Sequence, residues 1–226
     1  MHETLRRAAA HVVVDDVVAP VLDERSAHHV FGVLRVRDGE VVTVTDGVGG
    51  WRACRAVGGA LEPDAEPARD PRPDPPIELF VAIPKHDRPD WVVQKATELG
   101  VDRVVFLHAE RSVVRWEGAR AHRRLEKLRI VATEAAMQSR RVWIPVVEGP
   151  RKAADLLTST PGGIAIAEPG GREVTTTDRR LAIGPEGGWS PAELALAADR
   201  VDLGPHVLRV ETAALAACVR LVAGRG

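Results

Sequence analysis

A proline-rich, charged stretch constrains the fold of this chain more than any other feature of its sequence. Residues 62–76 read EPDAEPARDPRPDPP and carry no apolar residues at a helical or alternating period. Proline fixes φ and lacks a backbone N–H group, so such a stretch can form neither a helix nor a central strand. We therefore predict an interdomain linker that divides the 226 residues into two domains, 1–72 and 73–226.

The residues before the linker have the character of a small β-rich domain. Residues 41–45 and 51–57 are β-branched or alternate in polarity, which predicts two strands, and the glycine-rich residues 46–50 predict the turn between them. Asp23 is a suitable N-cap residue for a short helix over residues 27–34. We expect a barrel or sheet that carries one helix.

The residues after the linker alternate between strand-like and helix-like segments. Gly100 marks the end of the first helix, because glycine is favoured in the left-handed conformation that closes a helix. Such alternation predicts an α/β domain with a mainly parallel sheet, whose ligands bind at the carboxyl ends of the strands. Strands are predicted at 77–83, 103–107, 163–167, 180–183 and up to Leu203, and helices at about 89–99, 119–139 and 211–222.

Composition argues against several classes of protein. No apolar run approaches the ~20 residues that cross a bilayer, and the first ten residues lack the apolar core of a secretory signal. The two cysteines, one in each half, favour buried thiols in a reducing compartment, so we expect a cytoplasmic protein without membrane association. Adjacent His28 and His29 lack further ligands at metal-site spacing, and we expect no metal. The net charge of −1 gives no general affinity for nucleic acid, and the locally basic residues 102–141 are by themselves better explained as a solvated helix face.

A glycine-rich loop, residues 184–188, is the most informative segment. It follows a predicted strand, and Ser190 with Glu193 predicts a capping box that starts a helix immediately afterwards. The glycines let the backbone approach a ligand closely, but the loop lacks the lysine of a phosphate-binding loop and carries Glu186, which would repel a polyphosphate. The loop is therefore either a tight turn without a ligand or a site for a ligand without phosphates. S-adenosylmethionine fits the second description.

A second constellation lies in residues 201–213. Gly204 ends a strand there, and Arg209 and Glu211 precede a helix that is rich in small residues. Glu211 or Thr212 could simply cap that helix, and Arg209 could simply pair with Glu211. A functional pocket is the alternative, because two glycine-bearing loops occur in one predicted parallel sheet.

The two loops together resemble the cofactor-binding loops of RsmE-type enzymes, the 16S ribosomal RNA uracil-N3 methyltransferases of the SPOUT superfamily. The resemblance implies S-adenosyl-L-methionine as the cofactor, a C-terminal α/β domain that ends in a deep trefoil knot, a homodimer, and an N-terminal PUA-like RNA-binding barrel. It also implies that N3 of a uridine in the decoding region is methylated, in free 16S rRNA or in the assembled small ribosomal subunit. Matching segments occur in order along the chain at residues 29–39, 94–100, 110–112, 134–140, 184–188 and 203–213.

Carried over residue by residue, the resemblance implies a cofactor pocket made of three segments. Their residues are Ala167, Glu168 and Pro169; Gly184, Pro185, Glu186, Gly187 and Gly188; and Leu203, Gly204, Val207, Leu208 and Arg209. For the chemistry, Glu211 is slightly favoured over Glu186 as the acceptor of the N3 proton, and a structural role for either carboxylate is the alternative. Arg140 and Arg209 could stabilise negative charge on the uracil oxygens or hold RNA phosphates.

Basic side chains around the pocket are expected to face RNA. They are Arg6, Arg7, Lys95, Arg111, Arg115, Arg140 and Arg141. Three features depart from the family's pattern: the first eleven residues contain no aromatic residue, Met137 replaces a polar or charged residue, and His86 replaces a frequent glycine. None of these departures lies in the two cofactor loops.

Three other functions are open to the sequence. The chain could be a non-catalytic RNA-binding factor in ribosome assembly, a nucleotide-dependent enzyme with a phosphate loop, or a SPOUT ribose 2′-O-methyltransferase. The absent lysine and the presence of Glu186 count against the second of these functions.

Overall fold

The computed structural model describes residues 2–225, which divide into two compact units. The first unit comprises the chain up to Pro73 together with Thr133–Ile144. The second unit comprises Asp74–Ala132 together with the chain from Pro145 onward. Residues 133–144 therefore pack with the N-terminal part of the chain, although they follow the proline-rich stretch by many residues.

The first unit is a small mixed sheet with short helices. Its elements are α1 (Glu3–Arg7), β1 (Ala10–Val13), α2 (Glu24–Ala27), a π-helical turn (His28–Val33), β2 (Val41–Thr45), β3 (Gly50–Val57), β4 (Ala60–Pro63) and β5 (Ala68–Arg69). The strand order is β1-β2-β3-β4, and β5 pairs with β3. β1 and β2 are parallel, whereas the other pairs are antiparallel. Met137 packs against the apolar core of this sheet, which anchors residues 133–144 to the unit.

Local sequence signals account for much of this unit. β2 has the predicted bounds, and β3 begins one residue earlier than predicted. The Asp23 carboxylate accepts a hydrogen bond from the Ser26 backbone N–H at 2.7 Å, so Asp23 caps a helix as predicted. That helix begins at Glu24 rather than at residue 27, and its continuation is the π-helical turn.

The proline-rich stretch holds more structure than predicted. β4 overlaps its first residues, β5 lies within it, and both strands pair with β3. Pro63 stands at the end of β4, which is an edge strand, and an edge strand tolerates proline because one row of its backbone groups needs no partner. The interpretation of residues 62–76 as linker throughout is therefore wrong for residues 62–63 and 68–69.

The second unit is an α/β fold around a parallel sheet. Its elements are β6 (Glu78–Ala82), α3 (Arg88–Leu99), β7 (Arg103–His108), α4 (Gly118–Gln138, of which the residues from Thr133 belong to the first unit), β8 (Val146–Lys152), α5 (Ala153–Ser159), β9 (Ala165–Glu173), β10 (Arg180–Ile183), α6 (Pro191–Leu196), β11 (Asp199–Asp202) and α7 (Val210–Ala223). The strand order is β11-β9-β10-β6-β7-β8, and every neighbouring pair is parallel. The prediction of a mainly parallel sheet is confirmed.

Most elements of this unit agree with the predictions, including the four-residue β10, which has the predicted bounds, whereas β8 and α5 were not predicted. Gly100 follows α3 with φ of 105°, the left-handed conformation expected of a helix-ending glycine. β8 was not predicted because it contains Gly149 and Pro150, which are uncommon inside strands. Its position at the edge of the sheet allows the proline, because one row of its backbone groups needs no partner.

The parallel topology brings several loops to one edge of the sheet. The loops after β6, β7, β10 and β11 are residues 83–87, 109–117, 184–190 and 203–209. Because all the strands run in the same direction, these loops follow carboxyl ends at the same edge, where ligands of α/β folds bind. Within residues 2–225, no helix is both long and apolar enough to cross a membrane, and no cluster of metal-ligating side chains is present.

Candidate functional site

The loop between β10 and α6 leaves the sheet in a fixed direction. The Ser190 hydroxyl accepts a hydrogen bond from the Glu193 N–H at 3.2 Å, and the Glu193 carboxylate accepts one from the Ser190 N–H at 3.0 Å, which confirms the predicted capping box. The same carboxylate accepts a third hydrogen bond, from the Glu110 N–H at 2.9 Å. The buried Glu193 therefore ties the loop after β7 to the start of α6.

The glycines of this loop serve two different geometric needs. A Cβ atom at Gly184 would lie 3.0 Å from the ring of Trp189, so the close approach of that ring requires glycine or a shift of the ring. The Trp189 indole N–H donates to the Ala167 carbonyl at 3.1 Å and joins the loop to β9. Gly188 has φ of 70° and open space where a Cβ would stand, so its conformation rather than crowding favours glycine.

Asp202 joins the two remaining predicted cofactor segments. Its carboxylate accepts hydrogen bonds from the Gly204 N–H at 2.7 Å and from the Gly170 N–H at 2.9 Å. These two N–H groups, Gly204 first, lower the pKa of the Asp202 carboxyl. Gly204 itself has φ of 135°, a conformation that favours glycine. Asp202 thus links the predicted segment 203–209 to Gly170, which directly follows the predicted segment 167–169, although Asp202 itself was not predicted as a site residue.

The remaining residues of the three segments differ in their exposure. Pro185 is buried, Leu203 and Leu208 are half-buried, and Glu186 and Gly187 are exposed. Glu168 is half-buried on β9, and Pro169 is exposed beside it. Val207 is 96% exposed.

A pocket of about 280 Å³ lies at the same edge of the sheet. It is lined by Lys85, His86, Arg88, Glu186, Arg209 and Glu211. Three of these residues, Glu186, Arg209 and Glu211, were selected from sequence, and the structure brings them together. The pocket is slightly smaller than the ~300–1,000 Å³ sites that enclose whole drug-sized ligands, so it suits a group the size of a nucleobase.

Glu211 has a different partner from the one considered in the sequence analysis. Its carboxylate forms an ion pair with Arg88, and the side chains of Glu211 and Arg88 are 14% and 36% exposed. The alternative pairing with Arg209 is therefore wrong. Capping by Glu211 or Thr212 is also wrong, because α7 begins at Val210 and its N-cap residue is Arg209, whose side chain makes no capping hydrogen bond.

Lys85, His86 and Arg88 were not chosen as site residues from the sequence. They follow β6, whose position was predicted, and the rule that ligands bind beyond the carboxyl ends of parallel strands would have pointed to them. His86 has φ of 58°, which a non-glycine side chain rarely adopts. The family's frequent glycine at this position would adopt that conformation without strain.

The predicted RNA-facing side chains of the second unit have mixed surroundings. Arg111 donates a hydrogen bond to the Gly187 carbonyl at 3.2 Å, so it supports the glycine loop in addition to any contact with RNA. Lys95 pairs with Glu98 at 2.8 Å on the surface of α3, and Arg115 is exposed.

The other four predicted residues belong to the first unit. Arg6 and Arg7 are exposed on α1, where Arg7 pairs with Glu3 at 2.8 Å. Arg140 is half-buried, has φ of 61° and donates a hydrogen bond to the Ala8 carbonyl at 2.9 Å. Burial lowers the pKa of its guanidinium. Arg140 therefore has a structural contact within the first unit, and Arg141 is half-buried beside it.

Two family models match the chain. A model described as an RNA methyltransferase domain matches residues 71–222, and a model described as an RNA methyltransferase PUA domain matches residues 22–55. Together they cover parts of both units.

Curated relatives and solved structures agree with these matches. The chain is 34% identical to the ribosomal RNA small subunit methyltransferase E of Mycobacterium bovis, over 90% of this chain and 86% of the relative. It is 28% identical to the protein of the same name from Bacillus subtilis, over 83% of each. A putative methyltransferase from Legionella pneumophila with bound SAM superposes with a TM-score of 0.78 at 26% identity, over 94% of this chain and 96% of that one.

A second solved structure that superposes on this chain has the same name as the curated relatives. The ribosomal RNA small subunit methyltransferase E of Neisseria gonorrhoeae, bound to S-adenosyl methionine, gives a TM-score of 0.74 at 26% identity, over 92% of this chain and 94% of that one. The domain model, the relatives and these structures confirm two predictions. One is the resemblance inferred from the two loops, and the other is the SPOUT-type α/β fold. The chain belongs to the ribosomal RNA small subunit methyltransferase E family of RNA methyltransferases.

Proposed function

We propose that the protein transfers a methyl group from S-adenosyl-L-methionine to N3 of a uridine in the decoding region of 16S rRNA. The observation that carries the proposal is the pocket in which Glu186, Arg209 and Glu211 meet. Each of these residues lies in or beside a segment that resembles the family's cofactor loops. The names of the relatives and the SAM-bound neighbours support the cofactor and the rRNA substrate.

The three loop segments suit the proposed cofactor. They offer backbone groups and open space at Gly188 and Gly204, which fits a ligand recognised through its adenosine rather than through phosphates. We propose that residues 167–169, 184–188 and 203–209 hold the cofactor and that this part of the chain forms the family's trefoil knot. The cofactor would supply an electrophilic methyl group on a sulfonium.

Methylation at N3 also requires the loss of a proton. The N3–H of uracil is weakly acidic, so the protein has to stabilise the deprotonated base or accept its proton. Glu211 and Glu186 are the carboxylates of the pocket and the candidates for proton acceptor. Arg209, which lines the pocket, is proposed to stabilise charge on the uracil oxygens, and Arg140 is proposed for the same role or for holding phosphates.

The larger assembly is part of the same proposal. We propose that the first unit, which contains the match to the PUA domain, binds RNA through Arg6, Arg7, Arg140 and Arg141. On the second unit, Lys95, Arg111 and Arg115 would contact RNA. The protein would act as a cytoplasmic homodimer on free 16S rRNA or on the assembled small subunit.

Nucleoside mass spectrometry of 16S rRNA tests the proposal. We expect 3-methyluridine to disappear from a deletion strain and to return when the wild-type gene is supplied. Loss of a 2′-O-methylated nucleoside instead would support the ribose methyltransferase. Unchanged nucleosides, together with no binding of S-adenosylmethionine in a calorimetric titration, would refute the enzyme and support the assembly factor.

A further inference from the structure

Arg88 occupies a place that the stability of its own helix does not explain. It is the first residue of α3, where the helix dipole disfavours a cation, and the preceding Asp87 makes no side-chain capping hydrogen bond. Its ion pair with Glu211, in the first turn of α7, compensates for this position. The Arg88–Glu211 ion pair thus connects the start of α3 to the start of α7, and both of its residues line the pocket.

The ion pair leaves the Arg88 guanidinium able to bind a further group. A guanidinium has five N–H donors, and one carboxylate cannot use them all. The Arg88 side chain is 36% exposed and lines the pocket, whereas its partner Glu211 is 14% exposed. Glu211 therefore holds the cation from the more buried side while part of the guanidinium faces the open space.

The balance of charge in the pocket favours an anion. Lys85, Arg88 and Arg209 oppose Glu186 and Glu211, and His86 is the remaining titratable group of the lining. A uracil that loses its N3 proton carries negative charge on the two oxygens that flank N3. Cations fixed beside those oxygens favour the deprotonated base and the transition state of methyl transfer.

We propose that Arg88 is a catalytic residue whose guanidinium, held in place by Glu211, donates hydrogen bonds to a uracil oxygen and stabilises the charge that develops as N3 is deprotonated. This inference rests on the proposed uracil-N3 function. The N3–H bond breaks and its proton passes to Glu186, which makes no ion pair with any of residues 2–225. The N3 electron pair forms a bond to the methyl carbon as the carbon–sulfur bond of the sulfonium breaks, which leaves a neutral thioether.

The pH profile of methyl transfer tests the role of Arg88. Single-turnover rates on 16S rRNA would be measured from pH 6 to 9.5 with saturating S-adenosylmethionine, for the wild type, Arg88→Lys and Arg88→Gln. Loss of one such donor typically slows an enzyme by about 100-fold or more. We expect a loss of that order for Arg88→Gln at pH 7, recovery towards the wild-type rate as the pH rises, and an intermediate loss for Arg88→Lys.

The recovery at high pH separates catalysis from mere support of the fold. A variant that lacks a stabilising cation needs a higher pH to deprotonate N3 of uracil. A variant whose pocket is distorted transfers the methyl group slowly at every pH. Equal losses for Arg88→Gln at all pH values would overturn the proposal. Arg120→Gln, an exposed position on α4 outside the pocket, is the matched control and is expected to keep the wild-type profile.

A double-variant cycle tests the link to Glu211. If Glu211 acts by holding Arg88, adding Glu211→Gln to Arg88→Gln changes the rate by less than about threefold, because residues that act as a unit are not additive. Losses that multiply would show that Glu211 acts separately and would overturn the proposed anchoring. If the wild type forms no 3-methyluridine, the proposed function fails. If the wild type forms 3-methyluridine but the pH profiles of the Arg88 variants have the same shape as the wild-type profile, only this inference fails.

Discussion

His11 makes the stability of the first unit depend on pH. Its imidazole is 4% exposed on β1, with Nδ1 2.8 Å from the Thr43 hydroxyl and Nε2 3.2 Å from the Arg141 carbonyl. A carbonyl only accepts, so the neutral ring carries its proton on Nε2 and accepts from Thr43 at Nδ1. Protonation would place a second donor and a charge in this buried site. Burial is the main reason that the pKa of His11 falls to about 4; the Arg141 carbonyl opposes the shift, and the nearby charge of Arg140 adds to it.

The sign of the effect follows from the two states of the chain. The unfolded chain binds the proton near pH 6.5 and the folded chain only near pH 4. The stability that neutral His11 contributes is therefore fully present above pH 6.5 and is lost as the pH falls from 6.5 towards 4. Each pH unit between the two values is worth about 1.4 kcal/mol, which gives a loss of about 2 kcal/mol at pH 5 and a limit of about 3 kcal/mol.

Urea unfolding from pH 8 to 4.5 would measure this loss, with hydrogen exchange of β1 and β2 peptides assigning the transition to the first unit. The comparison is with His11→Gln, which keeps a neutral donor and does not titrate. We expect the free energy of unfolding of the wild type to fall by about 2 kcal/mol more than that of the variant between pH 8 and 5. His122→Gln, an exposed position on α4, should behave as the wild type. Parallel curves for the wild type and His11→Gln would refute the reasoning.

Three further predictions concern the second unit and the thiols. Asp202→Ala removes the acceptor that joins two segments proposed to hold the cofactor, so we expect the Kd for S-adenosylmethionine to rise about tenfold in calorimetry while Asp155→Ala, on the surface of α5, leaves it unchanged. Burial raises the pKa of Cys218 to about 12 and also raises that of Cys54, so neither thiol should react with a disulfide reagent at pH 8 until urea unfolds the protein. Ser190→Ala removes the cap of α6 and should lower the free energy of unfolding of the second unit by about 1 kcal/mol in urea titrations, whereas an unchanged value would show that the Glu193 bonds suffice.

Features that depend on nearby residues were the ones that could be predicted from sequence. The capping box of Ser190 and Glu193, the glycine that follows α3 and the parallel sheet all follow from short-range patterns. Glu186, Arg209 and Glu211 were chosen because their loops resemble a family's motifs, and the pocket that contains all three agrees with that choice.

Features that depend on distant residues could not be predicted in the same way. Arg88 and Glu211 are far apart in sequence, and no local pattern distinguishes this pairing from the nearer one with Arg209. The two hydrogen bonds of Asp202 likewise depend on how β9 and β11 are paired. The packing of Met137 with the first unit is a long-range contact of the same kind, because α4 reads as one uninterrupted helical pattern.

The order of strands in the second sheet has a consequence for how the chain folds during synthesis. β6 lies between β7, which follows it closely, and β10, which is made much later, so Glu78 pairs with Arg103 on one side and with Arg180 on the other. Until β10 has left the ribosome, one edge of this wholly buried strand has no partner, and an exposed apolar edge promotes aggregation. Pairings between distant segments also form slowly. The second unit therefore completes its sheet late, and the glycine loop after β10 is among the last parts of the protein to reach its final position.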